Sequence, residues 1–348
     1  MDLTEELRSQ ILSAKQNSER LCVTGHGSKL EQLGLQDGVL LSVAEHSGVV
    51  EHAVDELVVT ARSGTSLAEI NNALARHHQC LASEPPQIRG QGTIGGAVSA
   101  GFSGPARPWA GSLRDAVLGV TLLTAQGEVL RYGGQVMKNV AGYDVSRLVA
   151  GACGMLGVVL DISLRVAPQA EHEMTLSFEL DAQQAHEQCR AVARQPLPLT
   201  GTFWWSGQLW MRFSGAESAL LAAHKQLGGD AVERPALWRS IADQQHEFFT
   251  PLSMRDPAKR LFRVSAPPAS PIGGWPDMAV EWGGGVRWVW HHDPAKVHEY
   301  AKQASGWVWQ PGSRLPVPDA QIQLTHRIKT AFDPEDRFVI AMGEPHAN

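Results

Sequence analysis

The chain has 348 residues, 43% of them hydrophobic and 19% charged, which fits a folded water-soluble protein with two domains or one large one. Its net charge is −6 and its pI is about 6.2, with no basic patch, which argues against nucleic acid as a partner. Cys22, Cys80, Cys153 and Cys189 lie far apart with no Cys-x-x-Cys, which argues against an iron–sulfur cluster, a zinc ribbon or a disulfide framework and fits a reducing, cytoplasmic compartment.

Residues 3–18 read as a helix, with Leu3, Leu7, Ile11 and Leu12 on one face and Thr4 as its cap. This N-terminus is amphipathic and lacks the apolar core of a signal peptide. No run approaches the roughly 18 apolar residues that span a bilayer. A short strand at 21–23 runs into Thr24, Gly25, His26, Gly27, Ser28 and Lys29, a candidate phosphate loop in which Ser28 and Lys29 can donate. Its spacing is neither that of a Walker loop nor that of the dinucleotide fingerprint. Strands are expected at 39–43 and 56–61. A helix at 67–77 follows, capped by Thr65 or Ser66, with Leu67, Ile70 and Leu74 on one face.

Residues 90–104 hold six glycines: Gly90, Gly92, Gly95, Gly96, Gly101 and Gly104. Glycine costs entropy on folding, so such density needs either close backbone approach or positive φ. Bare N–H groups here can converge on a phosphate, and a short helix through Ala97 and Ala100 adds a positive N-terminus. The alternative is a glycine-rich turn with a packing role alone. Further on, 117–123 and 129–132 read as a hairpin, 145–150 as a helix and 158–166 as a strand.

Six motifs in this order resemble the FAD-binding domain of the vanillyl-alcohol oxidase / p-cresol methylhydroxylase (PCMH) type: TGHGS (24–28), ELVVTA (56–61), GTIGG (92–96), RDAVLG (114–119), KNVAGYD (138–144) and GACGMLGV (151–158). SGPARP (103–108) and VMKNVAGYDVSRL (136–148) narrow the resemblance to the FAD-binding E subunits of bacterial glycolate oxidase. The likeness is strong over residues 20–168 and looser beyond.

It implies an α+β chain: a PCMH-type FAD-binding domain of two subdomains over residues 1–168, an antiparallel-sheet cap over 169–325, and a tail at 326–348 returning to the FAD domain. It implies FAD as cofactor, with Gly25, His26, Gly27 and Ser28 on one side of the pyrophosphate and Gly92, Thr93, Gly95 and Gly96 on the other. Ser99, Gly101, Ser112 and Asp115 would follow the ribityl and adenosine parts, and Gly157 and Val158 would offer backbone near the flavin. Covalent members carry histidine directly before the loop serine. Here that position is Gly27, so the flavin is expected to be non-covalent, with His26 one residue removed.

Ten of the eleven tryptophans lie beyond residue 200, and 203–213 reads as a hairpin turning at Ser206 and Gly207. A helix at 216–227 and strands at 261–265 and 286–290 suggest an antiparallel sheet backed by helices. Similar hydroxy-acid dehydrogenases carry His-x-Gly-x-Gly-Asn-x-His as metal ligands; the nearest segment here is EWGGGVRW (281–288), without either histidine. His291 and His292, adjacent on a strand, are expected on opposite faces, so no metal site is expected. Arg263 and Arg287 on cap strands are the candidates for binding a substrate carboxylate, the alternative being structural ion pairs.

The resemblance implies an FAD-dependent oxidoreductase component that oxidises glycolate, a small 2-hydroxy acid, to glyoxylate. Its partners would be a sister FAD subunit and an iron–sulfur subunit, through which it could meet the cytoplasmic face of the inner membrane. A non-catalytic or degenerate scaffold subunit, and a stand-alone flavin oxidase of another alcohol, remain as alternatives.

Overall fold

The computed structural model describes residues 1–134, 143–250, 256–317, 319–340 and 342. Most of the KNVAGYD motif, at 138–142, lies outside them. The chain divides into two compact units, one of Met1–Ser103, Ser112–Gln169 and Gly312–Asn348, the other of Gly104–Gly111 and Ala170–Pro311. Two segments thus part from the expected boundaries. Residues 104–111 fold with the second unit because Trp109 packs beside Leu199, Leu209 and Phe213, and Gly104 O accepts a bond from Trp282 Nε1. Residues 312–325 belong to the first because Gly312 N donates to Gln32 O and Arg314 pairs with Asp37.

In the first unit, strands β1 (Leu21–Thr24) and β2 (Val39–Ser42) pair in parallel. Strands β3 (Val49–Ala53), β4 (Val58–Arg62), β6 (Val117–Leu123), β7 (Val129–Gly133) and β8 (Val158–Arg165) form an antiparallel sheet in the order β3-β4-β8-β6-β7. The pair β5 (Gln79–Cys80) and β9 (Ala167–Pro168) stands apart. The β-branched, apolar sequences of β4, β6 and β8 bury both faces, as central strands do.

Leu67, Ile70 and Leu74 of the helix Leu67–Ala75, and Ile94, Ala97 and Val98 of the helix Ile94–Ala100, pack on that sheet. Ser66 caps the first of these, its side chain accepting from Glu69 N. The helix Thr4–Gln16 buries Leu7, Ile11 and Ala14 against Leu21, Leu41 and Leu160. Thr4 is not its cap: its hydroxyl donates to Asp2 Oδ1 at 2.8 Å, and Leu12 is exposed.

The second unit is an eight-stranded antiparallel sheet. Its strands are β10 (His172–Glu179), β11 (Leu199–Trp205), β12 (Gln208–Gly215), β13 (Asp230–Ala231), β14 (Arg260–Ser265), β15 (Met278–Glu281), β16 (Val286–His291) and β17 (Trp307–Trp309), in the order β13-β10-β12-β11-β15-β16-β14-β17. The helices Ala182–Val192, Glu217–Leu227 and Pro294–Gln303 bury Cys189, Leu220 and Val297 in the apolar layers on one face. The fold is α+β, with an antiparallel-sheet second unit.

Register fixes which side chains share a face. Trp205, Ala279, Trp288, Arg263 and Trp309 stand opposite one another in a single row across β11, β15, β16, β14 and β17. The neighbouring row is Trp204, Val280, Arg287, Val264 and Val308, and by strand alternation it points to the other face.

Candidate functional site

The first glycine loop leaves the end of β1. Gly27 has φ +72°, in the left-handed region. A Cβ on Gly25 would lie 2.2 Å from Thr93 Oγ1, so only glycine lets this loop meet the second one. The second loop is sewn to the turn before the helix Leu67–Ala75: Leu67 N donates to Gly92 O at 2.9 Å and Ile94 N to Thr65 O at 2.8 Å. Thr93 then caps the helix Ile94–Ala100, its Oγ1 accepting from Gly96 N at 3.1 Å.

Both loops open onto one cleft of the first unit, with about 450 Å³ of empty space. Of the residues expected at the cofactor, Gly25, His26, Gly27, Ser28, Thr93, Gly96 and Ser99 line it. Lys29, Leu33, Leu35, Ala100 and Cys153 line it as well. Of these five, Lys29 is marked by its place in the loop, and Ala100 and Cys153 by the second and third glycine motifs, while Leu33 and Leu35 have no sequence signal. Cys153 reaches the cleft from the third glycine cluster at φ +48°, and burial pushes its thiol up to about 12, so it is a wall rather than a nucleophile.

The donors are not where glycine density alone points. The N–H groups of Ile94, Gly95, Gly96 and Ala97 are committed to Thr65 O, Ser63 O, Thr93 Oγ1 and Thr93 O. Gly95 is glycine for packing: its Cβ would fall 2.5 Å from Ser63 Cβ. Among the described residues, no protein acceptor takes the N–H groups of Gly25, His26, Gly27 and Ser28. Four consecutive unspent donors, one at positive φ, form a concave nest of the kind that binds an anion. These residues fit the pyrophosphate of a dinucleotide cofactor.

The other expected cofactor residues have structural tasks. Gly92 sits with its Cα side against Leu67 Cδ1, and Gly101 is a left-handed helix cap against Gly151. Ser112 and Asp115 satisfy each other in a capping box, with Ser112 Oγ donating to Asp115 Oδ2 at 2.7 Å. Gly157 at φ +142° turns the chain into β8, and Val158 is wholly buried beside Leu123. None of these six lines the cleft.

In the second unit, Arg263 and Arg287 do not converge. Arg287 is 0% exposed and points into the helix-backed face. There Nη2 donates to Ser270 O at 2.9 Å, while among the described residues Nε and Nη1 have no partner. Burial pushes its pKa down, opposed by Tyr300. It cannot share a ligand with Arg263, which is on the opposite face. Arg263 donates to Ser265 Oγ at 2.7 Å, and burial, set against Glu281 and reinforced by Arg107, pushes its pKa down to about 10.

The EWGGGVRW segment is a tight turn, with φ of +57° at Trp282, +62° at Gly283 and +99° at Gly284. Glu281 is buried and accepts from Trp288 Nε1 at 2.6 Å. His291 and His292 do not point apart. β16 ends at His291, Asp293 N closes a turn onto His291 Nδ1 at 2.9 Å, and the two rings stack with centroids 4.5 Å apart.

Comparison with known proteins places the chain. Residues 2–133 match a family model described as an FAD binding domain. Over 307 residues the chain is 38% identical to glycolate oxidase subunit GlcE of Escherichia coli (strain K12), covering 88% of this chain and 86% of that protein. The chain belongs to the GlcE family. This GlcE-family chain is also 26% identical to a D-lactate dehydrogenase of Archaeoglobus fulgidus over 58% of its own length and 45% of that protein's. It is 28% identical to glycolate oxidase subunit GlcD of Bacillus subtilis (strain 168) over 40% and 30% of the two chains. The GlcE-family chain thus spans less than half the length of these two relatives. A solved alkyldihydroxyacetonephosphate synthase shares the fold, with a TM-score of 0.65 over 98% of this chain and 75% of that one at 13% identity. Among the described residues, no helix is long and apolar enough to cross a membrane.

Proposed function

We propose that this chain is the FAD-holding subunit of a complex that oxidises glycolate, or a close 2-hydroxy acid, to the corresponding 2-oxo acid. The observation that carries the reading is the meeting of two glycine loops at one cleft whose first loop keeps four unspent N–H donors. Gly25, His26, Gly27 and Ser28 would hold the pyrophosphate, with Thr93 and Gly96 opposite and Ser99 further along the wall. Bound FAD supplies a two-electron acceptor for the hydride on the substrate's Cα. The four cysteines are dispersed, so onward transfer belongs to partners: a sister FAD subunit and an iron–sulfur subunit.

A second reading is favoured by two specific features. EWGGGVRW has neither histidine of similar dehydrogenases, and Arg287 is sealed in the opposite face. These features fit a subunit that carries FAD while a sister flavoprotein performs the chemistry. Losing a positioned general base costs about 10² to 10⁴ in rate. We therefore expect the purified chain alone to reduce a phenazine dye with glycolate slowly, with activity restored by the sister and iron–sulfur subunits. Anaerobic loss of the visible flavin absorbance on adding glycolate or D-lactate to the lone chain would instead establish catalysis here.

The cofactor is expected to be non-covalent, because Gly27 occupies the position before the loop serine. Acid or denaturant should release all of the yellow colour into the supernatant; flavin that stays with the denatured polypeptide would show a covalent link, with His26 as the first residue to test.

A further inference from the structure

We propose that Arg107 and Arg263, stacked on the indole of Trp282, form a clamp for a small carboxylate anion in the second unit. The choice of carboxylate rests on the 2-hydroxy acid reading above; the cation geometry does not. Arg107 Cζ lies 4.8 Å and Arg263 Cζ 4.9 Å from the centre of the Trp282 ring. Two guanidiniums on one indole repel each other, and neither has a salt bridge among the described residues. A cation–π contact satisfies the face of each guanidinium and leaves its N–H edge for an acceptor. Arg263 spends one edge group on Ser265 Oγ and is steadied by Trp288, 5.7 Å away. Arg107 lies over the indole, and its side chain is exposed.

The turn that presents Trp282 is built at a cost. Trp282 is a bulky residue at φ +57°, a conformation L side chains rarely adopt, and such strain persists only where surrounding contacts enforce it. Those contacts are present: Trp282 Nε1 donates to Gly104 O at 3.1 Å, and Gly283 N donates to Thr202 Oγ1 at 2.7 Å. Gly284 leaves no room for a Cβ, which would sit 2.9 Å from His186. The same hydrogen bond from Trp282 fixes residue 104, three positions before Arg107. The strained turn thus sets the indole and one of its two cations together. Glu281 supplies a negative charge near Arg263, but its carboxylate is engaged by Trp288 Nε1. A planar carboxylate, with two oxygens for two forks, meets this donor set.

The test is calorimetric titration of the full, flavin-loaded chain at low ionic strength with glycolate, and separately with inorganic phosphate and chloride. We expect saturable glycolate binding, weakened about tenfold or more in Arg263→Met and in Arg107→Met. Lysine at either position should recover part of it, since it keeps the charge and loses the fork. Arg107 is exposed, so Arg107→Met should keep the wild-type melting temperature and reports on binding even if Arg263→Met folds poorly. No saturable glycolate binding, or wild-type affinity in Arg107→Met, overturns the clamp. Equal affinity for phosphate, or an equal response to chloride, overturns the carboxylate assignment. If binding persists but flavin is never reduced in the assembled complex, the proposed activity fails and the clamp stands.

Discussion

Gly25→Val should strip the flavin from the protein while leaving both units folded. The valine Cβ would begin 2.2 Å from Thr93 Oγ1 and 2.8 Å from Thr93 Cγ2, well inside contact distance. The loops must separate, and the separation displaces the four N–H groups that face the cleft. Overpacking of this kind costs about 1–3 kcal/mol, which is about a five- to 150-fold loss of FAD affinity if it falls on the bound state. The ratio of visible to ultraviolet absorbance after gel filtration measures it directly. Thr93→Ala added to Gly25→Ala tests the cause. Thr93→Ala alone forfeits a helix cap, worth about 1 kcal/mol, yet it removes the atoms that collide with residue 25. The double variant should therefore hold more FAD than Gly25→Ala alone, a coupling that independent sites would not show. Full flavin occupancy in Gly25→Val would sink the account. Gly96→Val should be milder, because a Cβ there meets only Thr93 Oγ1, at 3.1 Å.

The glycine loops and the apolar strands of the first unit are readable because their signals are local. Motif order marks the loops, β-branched runs mark β4, β6 and β8, and Ser66 with Glu69 marks a helix start. What a glycine does in a loop is not local. Gly25 and Gly95 are both glycine because a side chain from elsewhere fills the Cβ position, Thr93 in one case and Ser63 in the other. Only the first keeps a place in the cleft. Edge and half-exposed strands are harder still: β3 alternates weakly and is half-exposed, and β10 opens with the exposed His172 and Glu173. The helix Ala182–Val192 had a usable signal, since Asp181 and Gln184 stand at capping-box spacing and form that box.

The arginines show the limit from the other side. Arg263 and Arg287 look equivalent in sequence, each on a short apolar strand. An antiparallel register that sets Arg263 against Trp288, and Arg287 against Val264, puts them on opposite faces. No pattern within either strand states that register. Arg107 lies in the SGPARP motif, but nothing there pairs it with Trp282, which is 175 residues away in the chain (282 minus 107) and is aimed by a left-handed turn.

The Phe-Asp-Pro segment near the C-terminus is where we expect the largest loss of stability from one substitution, Asp333→Ala. The Asp333 side chain is 0% exposed and accepts from three donors. Arg337 N lies 2.9 Å from Oδ1 and Phe338 N 2.8 Å from Oδ2, and the Lys329 ammonium, one helical turn back, pairs with Oδ2. Lys329 is itself 4% exposed, with Asp336 as a second partner at 3.2 Å. Removing the carboxylate leaves a buried cation half-compensated and two backbone donors unpaired, a loss of about 3–5 kcal/mol. The damage should travel. Phe338 is wholly buried, Leu21 N donates to Arg337 O at 2.6 Å, and Val339 N donates to Leu21 O at 2.9 Å, so this turn anchors the start of β1. β1 in turn leads into Gly25–Ser28, and Asp333→Ala should lose FAD as well as stability. Urea unfolding of the flavin-loaded chain, followed by far-ultraviolet dichroism and flavin fluorescence together, separates the two effects. Asp333→Asn should fall between, because its carbonyl can still accept from one backbone N–H while the pairing charge is gone. Lys329→Met combined with Asp333→Leu should be less harmful than Asp333→Ala, since it removes both charges together. A midpoint for Asp333→Ala within error of wild type would show that the buried pair contributes nothing to holding β1.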